Sequence, residues 1–66
     1  MNRYQVTVQD RTRKHVGVVG IANPRDHAQV IAAAESVASP QPLRAGARVT
    51  VRDEHGRKVI VREFKV

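Results

Sequence analysis

The segment NPRDHAQVIAAAESVAS, Asn23 to Ser39, does most to limit what this chain can become. It is the clearest helical signal in the sequence, and it stands between segments of two-residue periodicity. Its apolar residues Val30, Ile31, Ala34, Val37 and Ala38 recur at i, i+1, i+4, i+7 and i+8, the spacing of one helix face. Asn23 is a good N-cap, Pro24 suits the first helical position, and Asp26 suits the positive end of the helix dipole. Pro40 disfavours helical geometry at Ser39 and ends the run. The pattern predicts one helix over about 24–38.

On either side the periodicity changes. YQVTV alternates from Tyr4 to Val8, with Tyr4, Val6 and Val8 on one face and Arg3, Gln5, Thr7 and Gln9 on the other. A polar turn, DRTRKH, leads into VGVVGIA, where Val16 and Val18 are out of phase with Val19 and Ile21. A bulge is therefore expected near Gly17–Gly20. After the helix, SPQPLRAG reads as a connecting loop and ARVTVRDEHGRKVIVREFKV as a second hairpin. Strands are expected at about 3–9, 15–22, 47–53 and 57–64. The fold class is α+β: one domain over 1–66 in the order β-β-α-β-β, with no internal linker, repeat or low-complexity tract. Two hairpins would form a four-stranded, mostly antiparallel sheet with the helix packed on one face.

The tip of the second hairpin, VRDEHGRKV, gathers carboxylates, a histidine and basic residues, yet its spacing is that of a turn. Asp53 and Gly56 match the first and fourth positions of a type I turn, with Gly56 supplying the left-handed residue of a bulged three-residue loop. Asp53 then pairs with Arg57. Val51 faces Val59 and Val49 faces Val61 on the core side, while Arg52 faces Lys58 and Arg48 faces Arg62 on the other. A two-residue His-Gly loop is the alternative. It would set Glu54 against Arg57, Asp53 against Lys58 and Arg48 against Glu63, matching opposite charges, but it moves Val59 and Val61 out of the core and asks His55 for a positive φ. The bulged loop is the favoured expectation.

At 66 residues and without a cysteine, the chain is near the lower size limit for folding without disulfide or metal support. The absence of cysteine is compatible with a reducing compartment. No apolar run approaches membrane-spanning length, and MNRYQVTVQD is too polar for a leader, so a cytoplasmic protein without membrane contact is expected. Twelve Lys and Arg against six Asp and Glu give +6, a field that favours polyanions. Nine of those cations are Arg, and the apolar set is mostly Val and Ala, a composition that a GC-rich genome would also produce without selection for binding.

If the helix covers one face of the sheet, the other carries Arg3, Gln5, Thr7, Arg48, Thr50, Arg52, Lys58 and Arg62 over about 20 Å. Arg11, Arg13 and Lys14 would edge it, and Arg57 lies at the far tip. Such a surface suits a nucleic-acid phosphate backbone, DNA or RNA. The two aromatics are Tyr4, expected in the core, and Phe64, so base stacking is not expected. A solvated charged face is the bland counterpart of this reading.

The other class of function is a structural or adaptor protein that acts through homodimerisation or contact with another protein. The outward helix face includes Ala28, Ala32, Ala33 and Ser36, and one short helix cannot bury Val19, Ile21, Ile60 and Phe64 together. Ala28, Ala32, Ile60 and Phe64 are the candidate contacts. Catalysis is not expected. His15, His27 and His55 lack ligand spacing, Ser36 and Ser39 lack a base, and no glycine-rich phosphate loop exists, so neither cofactor nor metal is implied.

Overall fold

The sheet is built outward from β1 (Asn2–Asp10), which pairs antiparallel with β2 (Arg13–Ile21) on one side and with β3 (Arg48–Arg52) on the other. β4 (Lys58–Glu63) follows β3, and the strand order is β2-β1-β3-β4. The computed structural model describes residues 2–11, 13–39 and 42–64. The order β-β-α-β-β and the single helix against an antiparallel sheet are as the sequence pattern predicts.

The core side of the sheet comes from alternation. Val6 and Val8 of β1 and Val49 and Val51 of β3 are buried beneath α1 (His27–Ala38), which contributes Val30, Ala33, Ala34 and Ala38. Burying each such valine fully is worth roughly 1.5–3 kcal/mol, so these few side chains carry much of the fold. The helix lies over β2 and β1 and reaches β3. Gly17 permits its close approach, because a Cβ there would lie 3.2 Å from Val37 Cγ2. Ala33, expected on the outward face, is buried, so the helix is rolled toward β2.

Three local expectations are corrected. The first is the helix start, which lies at His27 rather than 24. Asn23 instead opens a turn: its Oδ1 accepts from Arg25 N at 3.0 Å and its carbonyl from Asp26 N at 3.1 Å. Asp26 is the N-cap, and its Oδ1 accepts from Ala28 N at 3.1 Å. Gln29 braces both, accepting from Asn23 N and donating to Asp26 Oδ2. Pro24 therefore belongs to the turn. Ser39 ends the helix with ψ 140°, the geometry expected before proline, although Pro40 lies outside the described residues.

Second, β2 has no bulge. It pairs without a break from Asn2↔Ile21 to Asp10↔Arg13. The phase conflict is resolved by leaving Val16 and Val18 on the uncovered face, 54% and 66% exposed, while Gly17, Val19 and Ile21 face the helix.

Third, the irregularity falls in the second hairpin. Arg52 pairs with Lys58 as the bulged loop requires, but Val51 pairs with Ile60, so Val59 is an extra residue. Beyond it the register is Thr50↔Val61, Val49↔Arg62 and Arg48↔Glu63. Val59 and Val61 are thus exposed, and Arg62 turns to the helix side with Ile60. Gly56, not His55, takes the positive φ of 80°, and Arg48 faces a carboxylate in place of a second arginine. The bulge satisfies turn chemistry and charge pairing together.

The first hairpin closes through Arg11 and Thr12, the latter outside the described residues. Arg11 has φ 50°, where a side chain with a Cβ is disfavoured by about 1 kcal/mol or more. Arg11→Gly should therefore stabilise the protein by about 1 kcal/mol, raising Tm by roughly 4–8 °C in a thermal melt. An unchanged or lower Tm would contradict this backbone conformation.

Candidate functional site

The uncovered face of the sheet is ordered in rows across the strands. Lys14, Gln9, Arg48 and Glu63 form one row, and Val16, Thr7, Thr50 and Val61 form the next. Val18, Gln5, Arg52 and Lys58 follow, and Arg3 lies beside Gly20 at the end. Two cationic rows therefore flank an uncharged, β-branched row. Four residues of rise separate Arg48 from Arg52, about 13 Å. A shallow depression of about 470 Å³ lies between them, lined by Gln9, Arg48, Thr50, Arg52, Lys58 and Val61 among others.

Among the candidate cations, Arg3, Lys14, Arg48, Arg52 and Lys58 share this face. The others separate from it. Arg62 falls on the helix side by register, opposite Val49, and also borders the depression along β4; it is half-buried, with Nε enclosed and without a hydrogen-bond partner. Arg13 pairs with Asp10 and points to the helix side, where it lines a cleft of about 260 Å³ with Arg11, Asp10, His15 and Arg44. Arg57 is exposed on the β3–β4 turn, at the opposite end of the sheet from the β1–β2 turn. The candidate contacts Ala28 and Ala32 are exposed on α1, whereas Ile60 and Phe64 are half-buried against the core, so the four do not form one patch.

Sequence reading missed the apolar part of the uncovered face. Val16, Val18, Val59 and Val61 lie along its two edges, 40% exposed or more. The signal was present in the phase conflict of VGVVGI, which marks a strand with valines on both faces.

The turn that carries Lys58 is held by Asp53. Its Oδ1 accepts from Arg57 N and His55 N, both at 2.9 Å, and its carbonyl accepts from Gly56 N at 3.0 Å. Arg52 adds a hydrogen bond from Nη1 to the Gly56 carbonyl at 3.2 Å, so part of its donor set is committed to the turn. Glu54 and His55 make only an exposed contact at 3.6 Å. Among the described residues no ion pair engages a cation of the open face, and no cluster of three His, Asp or Glu side chains is placed to hold a metal ion.

The Arg57 amide, acting against a partial loss of hydration and aided by the His55 amide and nearby positive charge, holds the Asp53 carboxyl below its usual range. Because the folded value is depressed, the stabilisation is complete above the unfolded value near 3.9 and is lost as pH falls through the lowered folded value. In an NMR acid titration the Arg57 and His55 amides, which donate to the Asp53 carboxylate, should move together in that window, and Asp53→Asn should abolish the step. A step that survives in the Asn variant would assign the titration elsewhere. No known family model matches the chain, and neither a curated protein nor a solved structure matches it.

Proposed function

We propose that the chain is a small, basic, non-enzymatic binding module that contacts the phosphate backbone of nucleic acid through the open face of its sheet. The observation that carries this reading is the placement of Arg3, Lys14, Arg48, Arg52 and Lys58 on one uncovered face, with no ion pair to them among the described residues. Guanidinium and ammonium groups there are available to phosphate oxygens, and their attraction is reinforced by the +6 charge of the chain. The two cationic rows, about 13 Å apart, are spaced on the scale of a duplex groove, which is roughly 6–12 Å wide. Thr7 and Thr50 supply neutral hydrogen-bonding groups between the rows, and Gln5 and Gln9 supply them within the rows.

The aromatic residues argue for backbone contact over base stacking. Tyr4 and Phe64 are half-buried against the core cluster, so the open face offers no ring for a base. Binding of this kind positions a protein on a nucleic acid without selecting sequence. The alternative, a structural or adaptor protein that works through a second copy or another protein, draws its support from the exposed valines on the same face.

The test is fluorescence anisotropy with a mixed-sequence DNA duplex and an RNA hairpin over a salt series. With about four phosphate contacts, log K should fall with log salt at a slope of roughly −4 on duplex DNA. The combined variant Arg3→Ala, Arg48→Ala, Lys58→Ala should weaken binding and make that slope shallower by about 3. Arg44→Ala, on the helix-side cleft, should change affinity far less. No binding at low salt, or equal losses from the two variants, would remove the open face as the site.

A further inference from the structure

The two edges of the sheet differ in a way that the nucleic-acid reading does not use. β4 is six residues long, carries the bulge at Val59, and is charged at Lys58, Arg62 and Glu63. Those are the devices by which edge strands are kept from pairing with other chains. β2 has none of them over most of its length: nine residues, no bulge, no proline, and no formal charge from Val16 to Ala22. We propose that β2 is a homodimer interface, pairing antiparallel with β2 of a second copy about a dyad at Gly17 to give a continuous eight-stranded sheet.

Three features of the structure favour a second copy as the occupant. The first is register. A dyad perpendicular to the sheet keeps the two open faces on the same side, and centring it on Gly17 pairs the whole strand with itself, Arg13 opposite Ile21. Val16 of each copy then faces Val18 of the other, covering the two most exposed of the large hydrophobic residues. The second is charge. In this arrangement Arg13 and Lys14 of the two copies lie at opposite ends of the shared edge, about 20 Å or more apart, so two chains of +6 meet where neither is charged.

The third is the helix layer. α1 lies over β2 and β1, so its axis is about half a strand spacing inside the edge. With strands about 4.8 Å apart, the two helix axes would be about 9.6 Å apart, within the 8–10 Å of directly packed helices. Such a distance needs small side chains, and the flank of α1 toward β2 presents Gln29, Ala32, Ala33 and Ser36 above Val19 and Ile21, lining a shallow apolar groove of about 430 Å³. The nine-residue strand spans about 26 Å and the molecule is about 20 Å deep, a footprint of at most about 520 Å² per copy. Stable complexes bury roughly 800 Å² per partner, so the edge and helix flank together suit a small, reversible dimer.

Sedimentation velocity over a concentration series tests the proposal, with circular dichroism as the check on folding. The wild-type chain should sediment at twice its 7.3 kDa mass. Val16→Lys and Val18→Glu, both at exposed positions, should each weaken association by about tenfold or more while leaving the fold intact. Mixing the two variants sets Lys against Glu across the dyad and should restore a dimer. Val61→Lys, on the other edge, should leave association unchanged. A wild-type monomer throughout, a Val18→Glu dimer as tight as wild type, no recovery on mixing, or loss of the dimer in Val61→Lys would each overturn the β2 dyad.

Discussion

The extra residue at Val59 governs what each face of this sheet displays. Side chains alternate along a strand, so one inserted residue exchanges the two faces for everything beyond it. With the insertion, Ile60 and Phe64 pack against the core, Arg62 follows them to the helix side, and Val61 and Glu63 join the open face. Without it, two valines would lie under the helix and two arginines would oppose each other outside. The turn built on Asp53 and Gly56 fixes Arg52 opposite Lys58, so it takes the extra residue at Val59 to bring Ile60 opposite Val51 and Glu63 opposite Arg48.

The functional consequences follow from that exchange. Glu63 beside Arg48 tempers the cationic row near the β1–β2 turn, whereas Arg52 and Lys58 at the other end face no carboxylate. The positive character of the open face is thus strongest toward Arg3, Arg52 and Lys58. The same bulge closes the β4 edge to pairing, and β2, unbroken and without formal charge from Val16 to Ile21, remains the open one. A basic face and a pairing-competent edge are two properties of one sheet, and they occupy different surfaces.

Much of the architecture was legible because it rests on periodicity. YQVTV, ARVTV and the helical spacing of Val30, Ala34, Val37 and Ala38 specify elements and their core faces with little help from tertiary context. The turn at Asp53–Gly56 was legible for a chemical reason, the need for a residue that accepts positive φ. What was not legible depended on competition between neighbours. Asn23 and Asp26 are both capable caps, and the Asn23-Pro24 turn braced by Gln29 decides between them. At the second hairpin, turn geometry and charge pairing pointed to different registers, and a bulge that accommodates both leaves no mark in single-sequence periodicity. Arg62 was misplaced for that reason, and Val59 and Val61 on the open face were missed with it.

The register beyond the bulge is therefore the point on which the account stands, and cross-strand contacts between backbone protons measure it directly. In NOE spectra of the labelled protein, Val51 should be paired with Ile60, Thr50 with Val61 and Arg48 with Glu63. Contacts of Val51 with Val59 and of Val49 with Val61 would instead place the valines under the helix and return Arg62 to the open face. That result would contradict both the composition of the proposed binding face and the contrast between the two edges.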